Sequence, residues 1–486
     1  MLTKSSSTGA RSMWLAIAGA VSLLVLSATQ AAAVPSYARQ TGLACEACHT
    51  VFPELTPFGR KFKLNGYIIN NREQIGDVDQ AAHKNLALSF FSPVSAMVVA
   101  SYTHTAKAAP DSNGLGNANN GTAAYPQQLS LFYAGEITPQ IGSFIQLTYD
   151  PGSGAIGMDN SDIRYADSAA TNGGKINWGI SLNNNPTVQD LWNTVPAWSN
   201  PYMASAAAQT PEAATLIDQS LAGNTAGVTA YAMLNNTFYG EFGVYTSAPQ
   251  GVGQPYDTAA DTLISGGAPY WRFAGQWEWG DNSFEIGTYG MSAKTRVAGS
   301  CDMQTQLTDS AGNPVDVFTT SSGPCQTLSA GPTDNYLDVA LDTQYQFIAD
   351  HHIVTAAATW IHENSKLNST AAAFNLANGT DVMASSTHLD TVRGSLSYFY
   401  NRFIGGSIQP FEIFGSANPL LFDSANVKPN SDGVTFEADY LPWLNVKLGL
   451  AYTAYTKFNG ASRNYDGAGR NASDNNTIYT YLWVAF

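Results

Sequence analysis

Charge is scarce in this chain. Its 22 Lys and Arg and 37 Asp and Glu make up 12% of 486 residues and leave a formal net charge of −15. So few cations exclude nucleic acid as a partner, because affinity for phosphate backbones comes from Lys and Arg releasing counterions. Beyond residue 33 no apolar run approaches the ~20 residues that a membrane-spanning helix needs. There are only four cysteines, Cys45, Cys48, Cys301 and Cys325. A single C-x-x-C occurs with no second ligand pair near it, which argues against a zinc site. No βαβ pattern surrounds it, which argues against a thioredoxin-like redox motif.

The N-terminus is organised for export. Lys4 and Arg11 precede an apolar run from Met13 to Leu26, and Ala31-Ala32-Ala33 offers a small-residue cleavage site. Residues 1–33 therefore read as a signal peptide. Its removal takes away two positive charges, so the net charge goes from −15 to −17. In an exported chain, Cys45-Glu46-Ala47-Cys48-His49 reads as C-x-x-C-H, the attachment pattern of a c-type haem. The two thiols are spaced to form thioethers with one haem, and His49 follows as the proximal iron ligand. One covalent haem c is the expected cofactor.

The remainder predicts an all-β fold. About 16 segments of alternating pattern run from near residue 86 to the C-terminus, an even number as single-chain outer-membrane barrels require. Long connections near 106–126, 184–226, 247–268, 296–334, 364–386, 416–431 and 458–475 alternate with tight ones such as Thr138–Gly142, Asn235-Asn236, Gly280–Asn282 and Leu441-Pro442. Long loops on one side and turns on the other are the asymmetry of a transmembrane antiparallel β-barrel. In the last segment Ile478, Leu482, Val484 and Phe486 share one face. The expected division is a signal peptide over 1–33, a haem plug over 34–84 and a porin-like barrel over 85–486. The barrel would sit in the outer membrane of a Gram-negative bacterium, among its lipids, with both termini periplasmic and the long loops extracellular.

The plug region contains no methionine and only two histidines, His49 and His83. Some fifty residues with few large aliphatics struggle to bury a haem alone. The barrel wall should therefore complete the pocket. Met97 is the lead distal ligand. Ser95, Met97, Val99, Ser101 and Thr103 form a lumen-like face, while Val94, Ala96, Val98, Ala100 and Tyr102 face lipid. A methionine filling a gap explains Met97 as well; Met291, His83 and His104 are weaker rivals. Arg60, in a basic cluster with Lys61 and Lys63, is a partner for a haem propionate, or else meets acidic lumen residues. Cys301 and Cys325 fall in one loop, and in an oxidising compartment they most simply form a disulfide. Asp159, Asp162 and Glu285 are carboxylates that an extracellular cation could approach.

The stretch Pro35–Tyr67, which carries C-x-x-C-H followed by Phe52-Pro53-Glu54-Leu55-Thr56-Pro57-Phe58-Gly59-Arg60, resembles the N-terminal signature of the outer-membrane cytochrome–porin fusions of iron-oxidising bacteria. Its sparse charge is most similar to the acidophile members. The motif covers these 33 residues; over the rest the resemblance is one of architecture. It implies one haem, a porin-like barrel and oxidoreductase activity in which electrons are taken from extracellular Fe(II), with His49 as proximal ligand and the thioethers on Cys45 and Cys48. Oxidation outside the cell keeps ferric precipitates out. The acceptor would be a soluble periplasmic cytochrome or copper protein, docking weakly. Two other functions fit the residues: a diffusion porin with a structural or regulatory haem plug, and a soluble periplasmic β-rich cytochrome.

Overall fold

A computed structural model describes residues 34–69, 74–75, 88–89, 91–108, 120–150, 154–221, 225–248, 262–297, 304–308, 314–318, 332–378, 382–384, 386–422 and 424–486. The signal peptide, His83, Cys301 and Cys325 lie outside the described residues.

The N-terminal segment holds three short helices, each fixed by local chemistry. Helix α1 (Pro35–Thr41) has proline in its first turn and ends at Gly42, whose φ of 68° is the left-handed cap that glycine adopts without strain. Helix α2 (Cys45–Cys48) is a single turn closed by His49 N–H on the Cys45 carbonyl at 2.9 Å. Helix α3 (Pro57–Leu64) is capped by Thr56, whose Oγ1 accepts from Gly59 N–H at 3.1 Å and donates to the Ala47 carbonyl at 2.6 Å. One threonine thus starts α3 and ties it to α2.

The barrel strands are β1 (Val94–Thr105), β2 (Gly121–Thr138), β3 (Ile141–Asp150), β4 (Ala155–Thr171), β5 (Gly174–Asn183), β6 (Thr225–Leu234), β7 (Phe238–Ser247) and β8 (Ala268–Trp279). They continue with β9 (Asn282–Val297), β10 (Asp334–Ile348), β11 (His352–Leu367), β12 (Ser386–Tyr400), β13 (Ile404–Gly415), β14 (Ser431–Trp443), β15 (Val446–Lys457) and β16 (Thr477–Ala485). Each pairs antiparallel with the next. The ring closes where β16 meets β1, Ala485 opposite Met97 and Thr477 opposite Thr105. A three-residue strand, Thr262–Ile264, extends β9 as the seventeenth member of the sheet. No edge among the sixteen is left open, which is the condition for a sheet to cross lipid.

The two faces separate by chemistry. Leu131, Val228, Phe242, Leu341 and Leu396 stand exposed outside, an apolar belt that only lipid would cover. Asp162, Arg164, Glu241, Arg272 and Asp342 are buried inside. On β1 the expected assignment holds: Ser95, Met97, Val99 and Thr103 are buried while Val94 and Tyr102 are exposed.

The connections alternate as expected, with differences in detail. The turn placed at Leu441-Pro442 lies instead at 444–445, with an irregular register between Tyr440 and Trp443. Pro442 lacks an N–H and is accommodated by that irregularity within the strand. The connection 151–154 is short although it lies on the long-loop side. The largest correction concerns 184–221, expected as an external loop. It folds into the barrel: Val188, Leu191, Trp192 and Val195 are almost completely buried, and Leu216 and Ile217 pack against Tyr289, Met291 and Ile361 of the wall. Its apolar residues are covered only inside the lumen, and that drives it inward.

Candidate functional site

The short helices sit inside the barrel. Tyr67 O–H donates to Asp162 on β4 at 2.6 Å, Tyr37 O–H to the Ser143 carbonyl on β3 at 2.6 Å, and Arg60 Nη1 to Gln346 on β10 at 2.7 Å. The inner loop clamps the same segment from the other side. Asn193 Nδ2 donates to the Pro53 carbonyl at 2.8 Å, and Lys63 Nζ donates to the Val188 carbonyl at 2.9 Å and Asn193 Oδ1 at 3.0 Å.

Between plug, loop and wall lies a largely apolar cavity. Cys45, Cys48 and His49 all line it, together with Phe52, Leu55 and Phe62 from the plug, Phe144 from β3, and Asn193 and Trp198 from the inner loop. The thiols are unbridged, and burial pushes that of Cys48 up to about 11.

The imidazole of His49 is oriented. Its Nδ1 lies 3.2 Å from the Glu54 carbonyl, which can only accept, so Nδ1 carries the proton. Burial holds the ring's pKa down at about 4, so it is neutral and Nε2 keeps its lone pair. A carbonyl on one ring nitrogen is the usual way of presenting the other to a metal. The strap 50–55 that supplies this carbonyl is itself anchored: Thr50 Oγ1 donates to Glu54 at 2.8 Å and Ser397 of β12 does so at 3.0 Å. Gly59 lets α3 approach α2, since a Cβ there would lie 2.1 Å from the Cys48 carbonyl oxygen.

These residues fit a haem c: two unbridged thiols on one helical turn, an oriented imidazole beside them and an apolar chamber that all three line. Among the described residues no group of three or more His, Cys, Asp or Glu could hold a metal ion by itself.

The other sequence candidates are placed as follows. Met97 points inward and packs in one cluster with Phe62 and Tyr67, but it does not line the cavity. Arg60 does not line it either; its guanidinium is turned to Leu55, Gln344 and Gln346, and burial lowers it to about 10. The cation at the cavity is Lys63, three residues on, with Nζ 4.7 Å from the centre of the Trp198 ring. Met291 is packed against the inner loop, away from the plug. Asp162 is held by Tyr67, Ser181 and Arg164, and Glu285 lies 3.5 Å from Arg272, so neither is an open carboxylate. Asp159 accepts from Thr148 at 3.0 Å. Asn193 and Trp198 escaped sequence reasoning; the apolar content of 188–198 was the signal that the loop had something to bury.

No protein-family model matches the chain, and no curated protein matches it. Among solved structures it is similar to OmpT of Vibrio cholerae lacking loop L8, at 10% identity over 81% of this chain and 98% of that one, with a TM-score of 0.39. It is similar to the outer membrane channel DcaP of Acinetobacter baumannii at 12% identity over 81% and 96%, TM-score 0.42. An anion-selective porin from Comamonas acidovorans gives 12% identity over 81% and 98%, TM-score 0.41. At these scores the likenesses add nothing to what the strand pairing establishes. The ring of sixteen strands with its apolar belt is an outer-membrane β-barrel whose lumen holds an interlocked N-terminal segment and an inner loop.

Proposed function

We propose that this chain is an outer-membrane cytochrome that takes electrons from extracellular Fe(II) and passes them inward through one covalent haem. The observation that carries the reading is the convergence of Cys45, Cys48 and the oriented His49 on one chamber inside a closed barrel. Haem bound there would supply a one-electron centre within a layer that otherwise insulates. The chain's own residues do the rest. Cys45 and Cys48 hold the group, and the Glu54 carbonyl orients His49. Phe52, Leu55, Phe62, Phe144 and Trp198 keep water out. Lys63 offers a cation at the cavity wall, a better-placed propionate partner than Arg60. Met97 stays the candidate for the distal side and would need to turn toward the cavity.

Fe(II) as donor, a periplasmic cytochrome or copper protein as acceptor, and an orientation with the long loops outside follow from the resemblance of Pro35–Tyr67 and from the need to keep ferric precipitates out of the cell. Stopped-flow mixing of the detergent-purified haem protein with Fe(II) at acid pH tests this. Growth of reduced-haem absorbance is expected; a haem that stays oxidised overturns it.

A second reading, a diffusion porin whose plug is structural or regulatory, is favoured by strand number, since sixteen strands enclose room for an aqueous channel. Free ion conduction in planar bilayers without reduction by Fe(II) would select it.

A further inference from the structure

One carboxyl ties the cysteine–histidine chamber to the barrel wall. The carbonyl that orients His49 belongs to Glu54, and it also accepts from Thr50 N–H at 3.2 Å. The side chain of Glu54 is only 2% exposed and is held at both oxygens. Thr50 Oγ1 donates to Oε2 at 2.8 Å, and Ser397 Oγ donates to Oε1 at 3.0 Å. Ser397 stands on the inward face of β12, 343 residues further along the chain. Two residues on, Phe399 packs in one cluster with Val51 of the strap, Ile353 of β11 and Leu441 of β14. One strand of the wall thus grips the strap by an apolar contact and by a polar one.

The apolar contact would be enough to seat the strap. A buried carboxyl costs free energy unless hydrogen bonds offset it, and an apolar side chain in its place would carry no such cost. What the carboxyl adds is direction. Apolar burial is non-directional, whereas hydrogen bonds are angular, and one on each oxygen fixes the rotation of the side chain. The peptide that carries the Glu54 carbonyl is then held in line with Nδ1 of His49. The flanking peptides are pinned too, since the Pro53 carbonyl accepts from Asn193 at 2.8 Å and the Leu55 carbonyl from Arg60 at 3.2 Å. A carbonyl bonded to Nδ1–H makes the imidazole a more basic ligand at Nε2, and a more basic axial ligand favours ferric over ferrous iron.

We propose that Glu54 and Ser397 are positioning residues that set the redox potential of the haem, acting from the barrel wall through the strap on His49. The inference rests on the reading of Cys45, Cys48 and His49 as a haem site, and it is independent of Fe(II) as the donor.

The test is a spectroelectrochemical titration of the full-length haem protein in detergent, with the ratio of reduced to oxidised haem compared at one fixed potential. Ser397→Ala removes one anchor and no charge. It should raise that ratio about threefold, because a loosened Nδ1 bond weakens the ferric preference. Ser397→Thr keeps the hydroxyl and should stay within about twofold of the unaltered protein. Ser395→Ala, on the same inward face of β12, is the control and should change the ratio by less than about twofold. Glu54→Ala should raise it about tenfold. Glu54→Gln also removes the charge but keeps an acceptor, so it should shift the ratio less than Glu54→Ala does. Each variant is scored only as a heat-modifiable barrel with unaltered covalent haem absorbance. A Ser397→Ala protein that titrates like Ser395→Ala overturns the proposal. Equal shifts in Glu54→Gln and Glu54→Ala would assign the effect to charge alone and overturn it as well. Unaltered protein that carries no covalent haem would overturn the haem reading itself, and this inference with it.

Discussion

Gly59 sets how closely α3 lies against the cysteine turn. A Cβ at that position meets the Cys48 carbonyl oxygen at 2.1 Å, and a backbone atom cannot swing away as a side-chain end can. Gly59→Ala is expected to destabilise the plug by about 1–3 kcal/mol. Limited proteolysis should then cut residues 34–69 while the barrel still migrates as folded on an unheated gel. Lys63 gives a second test. Burial holds its ammonium down at about 7, from an ordinary 10.5. Below pH 7 it is charged folded or unfolded, and the full cost of burying it is present. Between 7 and 10.5 the folded protein has shed a proton that the unfolded chain keeps, so stability rises with pH. Lys63→Met should flatten that rise, measured as urea midpoints between about pH 6 and about pH 10. The sequence marked Arg60 and Lys63 as one basic cluster. Only their surroundings separate them, since glutamines of β10 take Arg60 and the inner loop takes Lys63.

The element that most changes the picture is the inner loop. Arg272 on β8 binds its Asp190 at 2.9 Å while also bonding Asp342 at 2.8 Å, and Trp192 Nε1 donates to Gln276 at 2.9 Å. Arg272→Met would leave Asp190, Glu285 and Asp342 buried without their cation. A loss of about 3–5 kcal/mol is expected, as for breaking a buried pair from one side. The loop should come off the wall, raising single-channel conductance in planar bilayers. The alternation of long and short connections was legible because lengths and turn residues are local. The inward path of 184–221 was not, because length alone does not say which side of the ring a loop covers.

At the scale of the whole molecule, plug and loop occupy the lumen together. The intact barrel is therefore expected to conduct far less than an open pore of sixteen strands, and deletion of residues 186–198 should raise its conductance. The bonds that hold the plug, Arg60 to Gln346, Tyr67 to Asp162 and Lys63 to Asn193, involve neither thiol. Cys45→Ser/Cys48→Ser should accordingly give a barrel with the same heat-modifiable gel shift and no covalently bound haem absorbance. A double variant that fails to fold would show that the cofactor, not these bonds, seats the plug.

The sequence by itself determined the strands and their facing, because period-two alternation is a property of neighbouring residues and one face of each strand must meet lipid. It also determined the cysteine–histidine turn, since that chemistry lies within five consecutive residues. Tertiary structure alone decided what encloses the turn. Phe144, Asn193 and Trp198 stand far from His49 along the chain and reach the cavity only through ring closure and an inward loop. It likewise decided that Lys63, rather than Arg60, faces the cavity. A buried cation goes where hydrogen-bond partners exist, and those partners come from β10 and the inner loop, far along the chain.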